Sequence, residues 1–225
     1  MRPMQTVERS ERRWPAFYDE AAALRRARFD IDPIFIARWS PRAMNGRRLA
    51  REDYLPLFEA ARWAPSSYNS QFWDFIVAER GDPAWTGFLG LLTESNRLWA
   101  QNAGLLGIIV ALRTHRQSGK PAPTHEFDCG SAWENLALEG ASRGLVVHGM
   151  EGFDYDRARD VANVPGDHEV LAMFAVGERA PPTGLPESRR EKEKPNQRRA
   201  LEDLLHHGRF GQPLLDGGAE GSRTH

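Results

Sequence analysis

The sequence predicts an α/β or α+β sandwich, on two observations. Apolar runs of strand length at Leu105–Leu112, Leu145–Val147 and Val170–Val176 are separated by segments with helical periodicity, and 225 residues suffice for one full core. One large domain is expected over residues 31–212, preceded by an N-terminal arm over 1–30 and followed by a disordered tail over 213–225.

The arm is rich in Arg and Glu, with apolar positions at Trp14, Phe17, Tyr18 and Leu24, the pattern of an amphipathic segment that docks on another surface. Leu55, Phe58 and Ala61 recur at helical spacing, so a helix is expected from Asp53 to Trp63, with Pro56 in the first turn where no intrahelical donor is needed. Pro65 stops it near Ala64, because the residue before a proline is pushed out of helical geometry. Trp73, Phe75 and Val77 then alternate with Asp74, Ile76 and Ala78 as in a half-buried strand. Residues 85–99 read as one helix burying Phe88, Leu91, Leu92 and Leu98, and Leu105–Leu112 as a central strand buried on both faces.

In residues 127–143, Trp133, Leu136, Ala137, Gly140 and Ala141 mark a buried helix whose small residues admit a close neighbour, and Gly144 ends it. Strands at Leu145–Val147 and Val170–Val176 flank a short helix over residues 156–161. Past Gly177, Pro181, Pro182, Gly184 and Pro186 open a charge-dense tail. Its few apolar anchors, Leu201, Leu204, Leu205 and Phe210, suit wrapping a surface rather than forming a separate core, and disorder is expected from Gly217 onward.

Lys plus Arg number 30 against 31 Asp plus Glu, so the net charge of -1 gives no global pull toward nucleic acid or an acidic membrane, and any positive site must be local. The single cysteine, Cys129, excludes an internal disulfide or a multi-cysteine zinc site, fits a reducing compartment, and lies in an apolar helical pattern that suits a buried, inert thiol. No run approaches the roughly 18 apolar residues of a membrane span, and the first residues lack the apolar core of a secretory signal. A soluble, cytoplasmic chain with no nucleic-acid or membrane partner is therefore expected. The histidines are scattered, His206 and His207 are adjacent rather than helically spaced, and no His-Glu-x-x-His pattern occurs, so no metal site is expected.

Five polar segments carry the candidate chemistry. Ser66, Ser67, Asn69 and Gln71 lie in a helix-to-strand connection, where side chains that both donate and accept suit a heterocycle edge; the alternative is a turn that satisfies itself. Arg38-Trp39-Ser40-Pro41-Arg42 places two guanidinium groups and a hydroxyl within reach of a phosphate, or forms a solvated basic turn. Asn96 shares a helical pattern with Trp99 and can turn its amide to a cleft. His148-Gly149-Met150-Glu151-Gly152-Phe153-Asp154 follows a strand, with glycines that allow main-chain N–H groups close to a flat ligand, unless Asp154 merely caps the next helix. Asn196-Gln197-Arg198-Arg199 sits in a run that is mostly solvated by default. No Gly-x-Gly-x-x-Gly or Gly-Lys-Ser/Thr loop is present, which argues against a Rossmann dinucleotide site and a nucleotide triphosphatase.

In order and spacing these segments resemble the nitroreductase family of FMN-dependent oxidoreductases from about Phe35 to Phe210. That family has an Arg-x-Ser-x-Arg/Lys box, a helix, an Ala-Pro-Ser-Ser/Ala-x-Asn-x-Gln-Pro-Trp motif, an apolar strand, a Gly-Phe-Asp turn and a basic C-terminal box. Here these are Arg38 to Arg42, Ala64 to Trp73, Leu105 to Leu112, Glu151 to Asp154 and Arg198-Arg199. The second motif is fairly specific and the others are weak alone.

The resemblance implies an α+β, three-layer α/β/α sandwich with a mostly antiparallel sheet, in a homodimer with FMN at the subunit interface. By analogy Arg38, Trp39, Ser40 and Arg42 hold the phosphate and pyrimidine side of the flavin, with Asn96 near the ring. Ser66, Ser67 and Asn69, with Gln71 of the same motif, arrive from the partner subunit. Glu151 and Gly152 match the turn whose backbone meets the flavin N5 region, and Arg198 or Arg199 matches a phosphate-binding arginine. The implied activity is ping-pong hydride transfer from NADH or NADPH to a small conjugated acceptor such as a nitroaromatic or quinone. The alternatives are another conjugated substrate or a non-catalytic flavin-binding dimer. Two departures stand out: Phe72 replaces the usual proline, which bears on the loop's rigidity and the pocket wall, and Trp99 stands where some members carry a lysine near the flavin, so that part of the positive field is either missing or supplied by Arg97. Trp85, Phe88, Trp99 and Phe127 form either an aromatic wall or core.

Overall fold

The computed structural model describes residues 17–215, so Trp14 and the glycine pair at 217–218 lie outside the described residues. The chain divides into two compact units, one up to Pro195 and one from Asn196.

The first unit is built on four strands, β1 (Trp73–Glu79), β2 (Leu105–Leu112), β3 (Leu145–Met150) and β4 (His168–Glu178), in the order β1-β2-β4-β3. Every pairing is antiparallel, which decides for α+β over α/β. β2 is buried along its whole length, as a continuous apolar run in a central position requires. Gly107 pairs with Phe174 across the β2–β4 ladder, and a Cβ at 107 would lie 2.1 Å from Phe174 Cζ; the ring occupies the place of the missing side chain.

Two helical layers cover the sheet. On one face α3 (Arg51–Ala61) and α6 (His125–Ser142) bury Leu57 and Leu136 against Phe75, Ile109, Val147 and Phe174. On the other, α4 (Pro83–Leu89), α5 (Glu94–Ala100) and α7 (Tyr155–Val161) bury Phe88, Trp99 and Ala158 against Ile108, Val146 and Met173. The result is the three-layer sandwich. α3 and α6 pack on each other, and a Cβ at Gly140 would fall 2.3 Å from Val147 Cγ2 and 3.4 Å from Leu57 Cδ2, so the small residue admits both the sheet and the neighbouring helix. Gly144 follows α6 at φ 76°, a left-handed end that glycine allows without strain. Cys129 is buried on α6 and its thiol is pushed up to about 12, first by desolvation and then by Asp128.

Three local expectations shift. α3 starts two residues earlier than Asp53: Asp53 is its third residue and reaches back to the Ala50 N–H at 3.2 Å, so Pro56 falls inside the helix and the buried positions are Tyr54, Leu57 and Ala61 rather than Leu55 and Phe58. The single helix expected over 85–99 is two, α4 and α5. Leu92 bridges to Phe153, the Thr93 N–H donates to Gly152 O at 3.0 Å, and the Asp154 N–H donates to Leu91 O at 2.9 Å; these long-range bonds break the helix, and Leu98 is exposed while Trp99 is fully buried. β3 runs on to Met150, so His148 lies in the strand and not after it.

Ahead of the sheet lie two short helices, α1 (Tyr18–Ala22) and α2 (Ile34–Ala37). Phe17 is buried, whereas Leu24 is exposed. After β4, α8 (Glu187–Arg190) precedes the second unit. That unit holds a 3-10 turn at Leu201–Asp203 and a bridge between His206 and Pro213; none of its described residues is buried. Among the described residues no helix is long and apolar enough to cross a membrane.

Candidate functional site

The segment Arg38–Arg42 follows α2, and its backbone is held from four directions. Arg25 Nη1 donates to Arg38 O at 2.8 Å and to Ile36 O at 3.0 Å, and His148 Nδ1 donates to Pro41 O at 2.8 Å. The Glu193 carboxylate accepts from the Arg42 and Ala43 N–H groups, each at 2.8 Å, and Ala43 O accepts from the Ala180 N–H at 3.0 Å. The side chains, by contrast, are largely unspent. Arg38 makes one long bond to Ser40 Oγ at 3.4 Å and one ion pair with Glu134 at 3.7 Å. The half-buried Arg42 guanidinium makes no hydrogen bond or ion pair among the described residues; its pKa is lowered by desolvation, opposed by the charge of Glu193 and reinforced by Arg189. Trp39 is buried under the Arg179 guanidinium, 5.0 Å from the ring centroid, and its Nε1 is buried without a partner.

His148 ties this segment to the end of β3. Burial pushes its imidazole down to about 4, so the ring is neutral and Nδ1 carries the proton given to Pro41 O. The turn beyond β3 meets α5: Asn96 Nδ2 donates to Gly152 O at 3.1 Å, and a Cβ at Gly152 would fall 2.8 Å from that nitrogen. Glu151 is exposed at this turn, and Asp154 caps α7 by accepting from the Arg157 N–H at 3.0 Å, so the capping reading of Asp154 holds.

The Ser66–Gln71 loop is a different structure in a different place. Tyr68, Asn69 and Gln71 have φ of 52°, 53° and 49°, a left-handed conformation that Asn tolerates and Tyr and Gln rarely adopt. The loop is held by the buried Asp128 carboxylate, which accepts the Ser67 N–H at 2.8 Å, by Ser66 Oγ, which accepts the Gln71 N–H at 3.0 Å, and by Arg116, whose guanidinium donates to Ser70 O and Gln71 O. A shallow cleft opens beside it, lined by Asn69, Gln71, Asp74 and Arg116 among others. Phe72 turns inward and is fully buried, so it forms core and not pocket wall.

The sheet order explains the separation. The loop enters β1 and the Glu151 turn leaves β3; antiparallel pairing puts both off the same end of the sheet but at opposite edges, about 14 Å apart at three strand spacings. β3 thus carries the bond from His148 to the Arg38–Arg42 backbone and, past its end, the Gly152 turn held by Asn96, whereas Ser66, Ser67, Asn69 and Gln71 enter β1 at the other edge. In the second unit Arg198 donates to Asn196 Oδ1 at 2.9 Å and Arg199 to Asp203 O at 2.7 Å.

Of the four aromatic candidates, Phe88 and Trp99 are core, Trp85 is half-buried, and Phe127 is 78% exposed on α6. Sequence reasoning missed Arg25, 13 residues before Arg38, and Arg179 and Glu193, which lie far along the chain from the segment they hold; no local spacing signals them. It also missed the grouping of His125, Glu126 and Glu169, where His125 Nε2 lies 3.2 Å from Glu169 Oε2.

The model of the nitroreductase family matches residues 36–84 and 91–178, more than half of the chain. The chain belongs to the nitroreductase family. Its fold is that of the family's FMN oxidoreductases. A solved structure described as an oxidoreductase containing FMN is 36% identical with a TM-score of 0.80, over 84% of this chain and 96% of that one. The uncharacterized 15.4 kDa protein in the ask 5′ region of Mycolicibacterium smegmatis is 32% identical over 149 residues, 62% of this chain and 99% of that protein. A nitroreductase family protein of Clostridium difficile 630, at 18% identity and a TM-score of 0.62 over 81% of this chain and 100% of that one, is similar in fold.

Proposed function

We propose that the chain is an FMN-dependent oxidoreductase that works as a homodimer, passing hydride from NADH or NADPH to a small conjugated acceptor such as a nitroaromatic or quinone. One observation carries the reading: the Arg42 guanidinium is unspent among the described residues and that of Arg38 is only weakly engaged, on a backbone held at Arg38 O, Pro41 O and Arg42 N. A preorganised pair of guanidinium groups with a hydroxyl suits a phosphate and the electron-rich edge of a flavin, so the donor set fits FMN. The similarity to the FMN-containing oxidoreductase supports the same cofactor.

Bound FMN would supply the redox chemistry, and the protein supplies orientation and charge. Arg38 and Arg42 would hold the phosphate side and favour negative charge at the pyrimidine edge. Asn96 fixes the turn at Gly152; the Glu151 and Gly152 carbonyls are taken by Phe153, Thr93 and Asn96, so the N–H groups of this turn are the ones that would meet a flat ring. Ser66, Ser67, Asn69 and Gln71 would serve the partner's site, and the strain at Tyr68, Asn69 and Gln71 fits a loop shaped for binding rather than for its own stability. No protein nucleophile is needed.

The test is the absorbance spectrum of the purified protein, followed by anaerobic addition of NADH or NADPH. Flavin bands that bleach on addition, and recover with a quinone or nitroaromatic, are the expected result. A colourless protein that takes up no FMN would sink the proposal, and bound flavin that neither nicotinamide bleaches would leave a binding dimer in its place.

A further inference from the structure

Glu193 is a carboxylate with a fully buried side chain, an arrangement that is costly unless every oxygen is spoken for. Its oxygens are spoken for by groups around one point. Oε1 accepts the N–H groups of Arg42 and Ala43 at 2.8 Å each and Arg179 Nη1 at 2.5 Å, and Oε2 accepts the Arg42 N–H again at 3.0 Å. Arg179 is fixed in turn by Glu20 at 3.0 Å and lies over the Trp39 ring. The contact spans 151 residues of sequence and joins the stretch after α8 to the Arg38–Arg42 segment.

We propose that Glu193 is a positioning residue for the phosphate of the flavin: by taking up the main-chain donors of Arg42 and Ala43, it fixes the backbone from which the unpaired Arg42 guanidinium projects. The inference rests on the FMN reading given above. Two physical effects of Glu193 oppose each other, and this makes the proposal testable by sign. As a negative charge beside Arg42 it weakens the local positive field, so its neutralisation alone would tighten phosphate binding. As a clamp it holds Arg42 in one place, so its removal loosens phosphate binding. The second effect is the larger here, because the carboxylate is already matched by Arg179, whereas the Arg42 and Ala43 N–H groups have no other acceptor among the described residues.

The experiment compares FMN with riboflavin, which lacks the phosphate, on wild type, Glu193→Ala, which removes the acceptor oxygens, and Glu193→Asp, which draws them back. Loss of a charge-assisted bond that orients the binding group should raise the Kd for FMN by about tenfold or more and leave that for riboflavin nearly unchanged. An FMN Kd that is unchanged or lower in the variants, or a riboflavin Kd that rises in step, overturns the proposal; the latter would mark a general loss of structure. Should neither variant fold, hydrogen exchange on wild-type protein stripped of flavin decides: the Arg42 and Ala43 amides must exchange slowly before any flavin is added, and rapid exchange overturns the clamp. If wild type binds neither flavin while those amides are protected, the FMN reading falls and the clamp stands as structure alone.

Discussion

At the scale of single residues, two side chains near the Arg38–Arg42 segment have consequences that can be measured. His148 has its pKa lowered from 6.5 to about 4, first by desolvation. The unfolded chain therefore binds a proton that the folded chain does not between those values; the stability His148 contributes is complete above about pH 6.5 and is lost as pH falls toward 4. The loss should approach roughly 3 kcal/mol, read as the difference in pH dependence of urea unfolding between wild type and His148→Gln. Arg42→Ala should raise the FMN Kd about tenfold or more, as loss of a charge-assisted contact implies, while Arg190→Ala, whose guanidinium is spent on Thr183 O and Leu185 O, should leave it unchanged. Equal retention in the two variants would show that the phosphate segment is misplaced. The spacing of Arg38 and Arg42 was legible in the sequence because both lie within one short segment. Glu193 was not, because a buried carboxylate in a run of alternating charge looks like any solvated one until its partners are known.

At the scale of elements, periodicity found each strand and most helices, and erred where distant backbone overrode it. α3 shows the first kind of error. Counting from Asp53 put Pro56 in the first turn, but Asp53 reaches back to Ala50 and the helix begins at Arg51. Pro56 then lacks the N–H that would bond to Glu52 O. Pro56→Ala should raise stability by about 1 kcal/mol or more, seen as a higher urea midpoint with unchanged slope; a lower midpoint would mean that the proline's own packing and its stiffening of the unfolded chain outweigh the missing bond. The break between α4 and α5 shows the second kind. Apolar spacing continues through Leu91 and Leu92, and only the pairing of Leu92 with Phe153 explains why the helix stops. The same pairing carries Asn96 to Gly152, so the element that periodicity misread is one that holds part of the candidate site.

At the scale of the whole molecule, the proposed flavin site, with its parts at opposite sheet edges, would draw residues from each of two chains. Sedimentation of the flavin-loaded protein should give a dimer with one FMN per chain; a monomer that keeps its flavin tightly would contradict the shared site. The separation of the two edges depends on the β2–β4 ladder, and there Gly107 matters. Gly107→Ala forces a methyl group into the Phe174 ring and should cost about 3 kcal/mol in urea unfolding, the size of a core overpacking defect. A slip of two residues along the ladder would set Leu105 or Ile109 opposite that ring, where no space for it exists. A folding chain therefore has one register open to it at the centre of the sheet. The span between the two edges that carry the candidate site is fixed, before any loop is made, by a hydrogen atom where every other residue would place a carbon.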